Sequence, residues 1–175
     1  MGLRPHNLGT KMNYYNQETH PDQKFFLNEK SEKLLSEVQV NLAEVVKRAV
    51  AISDLDIQVN HGKRTLDQQD EFFKKGVALG ANSPHLYGYA VDIVAYIGDR
   101  ACFELEVYDE VANCMRYAGQ DLNTPIRWGG AWQCDNICAY DGMIEDLQAW
   151  YLDHCVQQNI RPQLDYQHFE LSLSE

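Results

Sequence analysis

An aspartate inside an apolar run is the first chemical anomaly of this sequence. Asp92 interrupts residues 90–95, which are otherwise Ala, Val and Ile. Burying a lone carboxylate is costly unless it is paired or bound to a metal. His85 lies seven residues earlier, across a loop that contains Gly88, and such a loop followed by a strand can bring both side chains to one point. The alternative is that Asp92 forms a cap or salt bridge and His85 is a surface residue.

A second group of polar residues lies near the C-terminus. His168 and Glu170 alternate with Phe169 and Leu171, so in a strand the two polar side chains share one face. Two histidines and one carboxylate, with a further position left to water, form a ligand set typical of catalytic zinc. Asp165, three residues before His168, is then placed to act on that water as a general base. The alternative for His168 is a packed or exposed side chain.

Two further segments carry residues suited to substrate recognition. Arg64 lies between an expected strand and a helix that begins after Thr65. From there its guanidinium can hold a carboxylate or stabilise an oxyanion, or it can simply contact the acidic surface. Trp128 and Trp132 flank a glycine pair, and they either line a pocket beside the last strand or belong to the core.

The composition restricts the classes of protein to consider. The 175 residues suit one domain, 45% of them are apolar, and the net charge of −11 argues against a nucleic-acid partner. No apolar run reaches the roughly 18 residues of a membrane span, and the polar N-terminus lacks the apolar stretch of a signal peptide. We therefore expect a protein made in a cytoplasm. We expect its five cysteines to be reduced thiols, with half a metal site at Cys134 and Cys138 as the alternative.

Hydrophobic periodicity predicts how these residues are positioned. Helices are expected over residues 31–52, 65–75, 103–118 and 141–158, and strands over residues 56–60, 90–96, 126–128 and 166–171. Without a regular βαβ alternation, this order favours an α+β domain, with helices packed on one small antiparallel sheet. Residues 1–28 are expected to form an N-terminal arm, followed by a single domain over residues 29–175.

Taken together, the four segments resemble the zinc D-Ala-D-Ala carboxypeptidase and L-alanyl-D-glutamate peptidase family, which has the Hedgehog/DD-peptidase fold. The resemblance covers roughly residues 31–173. The sequence around His85 looks closest to that of bacteriophage endolysins that cleave the L-alanyl-D-glutamate bond. The matching residues are Ser83, His85, Gly88, Ala90 and Asp92; Asp165, His168, Phe169 and Glu170; Gly62, Arg64, Thr65 and Gln68 or Gln69; and Trp128, Gly129, Gly130 and Trp132.

The resemblance implies a role for each residue of the site. It implies that the three residues His85, Asp92 and His168 bind zinc, that Asp165 is the catalytic acid/base and that Arg64 contacts substrate. Ser83, Tyr89 and Trp128 are expected at the substrate cleft. Glu170 is expected either to orient a ligand imidazole or, by alternation along the strand, to face solvent.

The expected function is hydrolysis of a stem-peptide bond of bacterial peptidoglycan, with L-alanyl-D-glutamate as the preferred bond. The expected protein is a monomer, made in the host cytoplasm and acting on the cell wall after release. Tyr89 replaces a frequent His and Ala131 a frequent Asp, which leaves the choice of bond open. The alternatives are a D-alanyl-D-alanine carboxypeptidase or dipeptidase, and a non-catalytic zinc-bearing binding module.

Overall fold

Five strands form the sheet on which the polar residues lie. The computed structural model describes residues 22–76 and 82–173, and the bounds below refer to this part of the chain. The strands are β1 (Asp56–His61), β2 (Ala90–Ile97), β3 (Arg100–Cys102), β4 (Ile126–Trp128) and β5 (His168–Leu171). Their order is β1-β2-β5-β4, with β3 on β2, and every pairing is antiparallel.

The described part of the chain also contains five α-helices. They are α1 (Glu29–Leu35), α2 (Val40–Ile52), α3 (Leu66–Lys74), α4 (Leu105–Asp121) and α5 (Ile144–Gln157). The apolar stripe of α2, which includes Leu42 and Val46, is completely buried and packs against α4. Complete burial of such a side chain contributes about 1.5–3 kcal/mol. The predicted α+β class, with helices on a small antiparallel sheet, is confirmed.

The predicted helix over residues 31–52 is wrong as a single element, because the chain breaks between α1 and α2. At the break the N–H of Gln39 donates to the carbonyl of Gly88, at 2.8 Å. A Cβ on Gly88 would lie 3.1 Å from the carbonyl oxygen of Glu37 and from Cα of Val38. The break therefore makes room for the loop that carries His85. The spacing of apolar residues does not encode this tertiary contact.

Other differences are smaller. Strand β3, which pairs with the end of β2 after a turn at Gly98, was not predicted. Strand β5 begins at His168 rather than at residue 166, because residues 166–167 form a turn. The predicted helix after Thr65 is present, with the predicted capping box between Thr65 and Gln68. Most of the expected arm, residues 1–21, lies outside the described residues. None of the helices of the described part is long and apolar enough to cross a bilayer.

Candidate metal centre

Three separate elements bring His85, Asp92 and His168 together. Asp92 and His168 are directly opposite each other in the β2–β5 pairing, so their side chains leave the same face of the sheet. His85 lies in a short 3-10 helix (Pro84–Tyr87), which is capped by Ser83 at its start and by Gly88, in the left-handed conformation, at its end. The N–H of Arg64 donates to the carbonyl of His85 at 3.0 Å, which ties this helix to the end of β1.

The three side chains converge on one point. His85 Nε2 lies 3.2 Å from Asp92 Oδ1 and 3.2 Å from His168 Nδ1, and His168 Nδ1 lies 3.3 Å from Asp92 Oδ1. All three residues are buried, and they form a group that can hold a metal ion. Zinc bonds of about 2.0–2.2 Å at tetrahedral angles separate neighbouring ligands by about 3.3–3.6 Å. The observed triangle therefore matches the size of such a centre.

The outward-facing atom of each group is bound to another part of the protein. His85 Nδ1 lies 2.8 Å from the carbonyl of Gly62, and His168 Nε2 lies 2.8 Å from Glu170 Oε2. Because both partners can only accept, these ring nitrogens are the donors, and the other ring nitrogens face the centre without a proton when the rings are neutral. Asp92 Oδ2 accepts from Arg64 Nη2 at 2.6 Å, which leaves Oδ1 for the centre.

The electrostatics of the site favour a positive charge at this point. Burial lowers the pKa of His168, but its hydrogen bonds to Asp92 and Glu170 outweigh this and raise its pKa to about 9. Burial raises the pKa of Asp92, yet hydrogen bonds from His168, His61 and His85 bring it well below its usual value. A divalent cation supplies the same positive charge, so the donor set fits a metal on chemical as well as geometric grounds.

Asp165 lies beside this cluster, in the turn that leads into β5. Desolvation raises the pKa of its carboxyl, and the negative charge of Asp92 raises it further, against the charges of His168, His85 and Arg64. Its backbone carbonyl accepts from the N–H of His168 at 3.0 Å, and its N–H donates to Gly129 at 3.0 Å. A Cβ on Gly129 would lie only 2.3 Å from the Asp165 carbonyl oxygen. The glycine pair therefore permits a close backbone approach.

Trp128 corrects one expectation. It is completely buried, its Nε1 donates to the carbonyl of Tyr166 at 2.9 Å, and its ring stacks on Phe169. Trp128 pairs with Phe169 on the core face of the sheet, whereas Arg127 pairs with Glu170 on the face of the candidate centre. The predicted substrate contact of Trp128 is wrong, because the side chain has no exposed surface.

The other predicted site residues lie around the centre. Ser83 accepts from the N–H of His85 at 3.4 Å and so caps the helix that carries it. Tyr89 lines a cavity of about 260 Å³ that reaches Glu170. Arg64 is mostly buried against Asp92, with its guanidinium 4.6 Å from the centre of the Phe72 ring.

Trp132, one of the two candidates for a pocket beside the last strand, lies near the centre, whereas Arg127 and His61 were not predicted there. The ring centre of Trp132 lies 5.3 Å from that of His168. Arg127 contacts both Glu170 and the Trp132 carbonyl, and His61 contacts Asp92. Arg127 precedes Trp128 in β4, and side chains alternate along a strand. A buried Trp128 would therefore have placed Arg127 on the face of the candidate centre, opposite Glu170. No local pattern identifies His61.

The comparisons with known proteins agree with this site. The model of the family described as "Phage L-alanyl-D-glutamate peptidase" matches residues 23–149, most of the chain. The chain belongs to this family. The match includes Arg64, His85 and Asp92 and ends before Asp165 and His168. His168 joins the site through its pairing with Asp92 across β2 and β5.

Two relatives extend the comparison. The L-alanyl-D-glutamate peptidase of Escherichia phage T5 is 30% identical over 112 residues, which cover 62% of this chain and 82% of the relative. The crystal structure of the L-Ala D-Glu endopeptidase ChiX from Serratia marcescens has a TM-score of 0.61 and 24% identity. That match covers 86% of this chain and 91% of the other, and it supports the same fold.

Proposed function

We propose that this protein is a zinc-dependent peptidase that hydrolyses the L-alanyl-D-glutamate bond in the stem peptides of bacterial peptidoglycan. Membership of the phage L-alanyl-D-glutamate peptidase family and the name of the phage T5 relative support the reaction and the substrate class. The observation that carries the proposal is the triangle of donor atoms from His85, Asp92 and His168, with sides of 3.2–3.3 Å.

In this proposal, the three residues hold the ion through His85 Nε2, Asp92 Oδ1 and His168 Nδ1. Bound zinc lowers the pKa of a coordinated water and polarises a carbonyl. The protein contributes the orientation of its donors, because Gly62, Arg64 and Glu170 bind the three outward atoms. Such partners fix the imidazole tautomers and reduce the reorganisation needed when a metal binds.

Asp165 is proposed as the general base and acid. Its carboxyl interacts electrostatically with Asp92, His168 and His85, and its pKa is raised toward the range useful for proton transfer at neutral pH. It would accept a proton from the attacking water and deliver it to the amine of the departing D-glutamate residue. A purely structural metal site would not need this residue.

Substrate contacts are proposed for the cleft beside the centre. Tyr89 and Ser83 lie next to cavities that open beside the 3-10 helix, which suits recognition of a stem peptide. A direct contact of Arg64 with substrate stays a prediction. Its observed position assigns it first to Asp92 Oδ2.

We further propose that the protein acts as a monomer, is made in the host bacterium, and reaches the wall after release. The net charge of −11 gives no electrostatic attraction toward an anionic wall polymer. Residues 1–28 are proposed as an arm attached to a peptidase domain over residues 29–175. Light scattering measures the molar mass of the purified protein in solution and so tests whether it is a monomer.

Digestion of purified peptidoglycan, followed by mass spectrometry of the products, tests the reaction. We expect new amino termini on D-glutamate and new carboxyl termini on L-alanine, with product formation abolished by a chelator and restored by zinc. Release of free D-alanine alone would instead identify a D,D-carboxypeptidase. No new termini under any condition, from protein that still binds the wall polymer, would identify a binding module.

A further inference from the structure

Strand β1 contains an irregularity next to the candidate metal centre. In its pairing with β2, Val59 is opposite Ile93, but the next pair is His61 with Asp92. A regular antiparallel ladder would place Asn60 opposite Asp92. The extra residue is a β-bulge, a feature that re-aims a side chain and is common beside active sites. Here the bulge replaces an amide with an imidazole at the position opposite Asp92.

The re-aimed imidazole contacts the carboxylate of Asp92 from outside the donor triangle. His61 Nδ1 lies 3.2 Å from Asp92 Oδ2, whereas the two candidate histidine ligands, His85 and His168, approach Oδ1. A carboxylate oxygen only accepts, so the His61 nitrogen is the donor. The His61 ring is held edge-on against Phe72, with 5.5 Å between ring centres, and 38% of the side chain is exposed.

Two donors therefore bind a single oxygen of Asp92. Arg64 Nη2 approaches Oδ2 at 2.6 Å, and its guanidinium lies over the same Phe72 ring that contacts His61. Together they restrict rotation of the carboxylate about its Cβ–Cγ bond and leave Oδ1 directed at His85 and His168. Without His61, Asp92 Oδ2 would be held by Arg64 alone.

We propose that His61 is a positioning residue, which fixes the orientation of Asp92 for metal binding without being a ligand. This inference deepens the proposed function and rests on its metal centre. Loss of a partner that orients a metal ligand weakens metal affinity by about 10- to 100-fold. Because Arg64 remains on the same oxygen, we expect the lower end of this range, about 10-fold, for loss of His61.

The test is zinc affinity, measured on the full chain by competition with a chromophoric chelator. The variants are His61→Ala, which removes the donor, and His61→Asn, whose amide nitrogen can occupy the position of Nδ1. His154→Ala in α5, a histidine distant in sequence, is the matched control. Absorption spectra of the cobalt-substituted proteins report the geometry around the ion, and thermal unfolding of the metal-free forms shows that each variant folds.

We expect His61→Ala to bind zinc about 10-fold more weakly, and His61→Asn and His154→Ala to stay within about 3-fold of the unchanged protein, all with one cobalt spectrum. Unchanged affinity in His61→Ala would overturn the proposal. Equal losses in the Ala and Asn variants with an altered cobalt spectrum would also overturn it, because His61 would then be a ligand. Failure of the unchanged protein to bind zinc would instead refute the metal centre itself.

Discussion

Replacement of Gly129 by alanine should disturb the turn that positions Asp165 and His168. The added Cβ would lie 2.3 Å from the carbonyl oxygen of Asp165 and 3.0 Å from the ring of Trp132. Ordinary contact requires a separation larger by roughly 1 Å. The first obstacle is backbone, so no rotation of a side chain can relieve the contact.

The expected cost follows from the contacts that must shift. Overpacking costs about 1–3 kcal/mol. The N–H of Gly129 donates to the His168 carbonyl at 2.9 Å, and its own carbonyl accepts from Asp165 at 3.0 Å; weakening these bonds adds about 1 kcal/mol. We expect a loss of about 2–4 kcal/mol, which for a chain of this length lowers Tm by roughly 5–15 °C.

Thermal unfolding and peptidoglycan turnover together measure the effect. Gly98→Ala is the control, because Gly98 has a φ of +60° and a Cβ added there would meet nothing within 4 Å. Its cost of about 1–2 kcal/mol comes from backbone strain alone, so it should lose stability but keep zinc affinity and turnover. A Gly129→Ala protein with the Tm and turnover of the unchanged chain would show that this close approach does not constrain the turn.

Three further outcomes are expected. Asp165→Asn should keep its zinc and lower turnover by about 10²- to 10⁴-fold, and full turnover would exclude Asp165 as the base. Glu170→Gln should weaken zinc affinity by about 10-fold or more in chelator competition, because Glu170 orients His168. Asp109 is buried, and burial, Glu145 and Glu106 raise its pKa from 3.8 to about 6. The folded form therefore binds a proton at Asp109 more tightly than the unfolded form, so the contribution of this residue to stability falls as pH rises from about 4 to 6. Asp109→Asn should gain up to about 3 kcal/mol at pH 7, and denaturant unfolding should show no gain below about pH 4.

Much of the site could be predicted from the sequence, because several of its residues stand out within short local segments. An ionisable residue inside an apolar strand marked Asp92, and alternation placed His168 and Glu170 on one face. The resemblance joined these segments to His85. The structure shows the physical link, which is the direct pairing of Asp92 with His168 across β2 and β5.

Features that depend on distant contacts were not predictable in this way. The break between α1 and α2 exists because Gly88 approaches residues 37–39, and the apolar spacing runs through it unchanged. The bulge at Asn60 depends on how β1 meets β2, so alternation along β1 alone misplaces His61. Trp128 was misassigned because an aromatic beside glycines suits a pocket and a core equally, and only the β4–β5 register decides between them.

A crystal structure of the zinc-soaked protein, with anomalous diffraction recorded at the zinc edge, would test the metal centre directly. We expect one anomalous peak about 2.0–2.2 Å from His85 Nε2, Asp92 Oδ1 and His168 Nδ1, with no fourth protein donor within bonding distance. A peak elsewhere, or a centre closed by an additional side chain such as His61, would contradict this expectation.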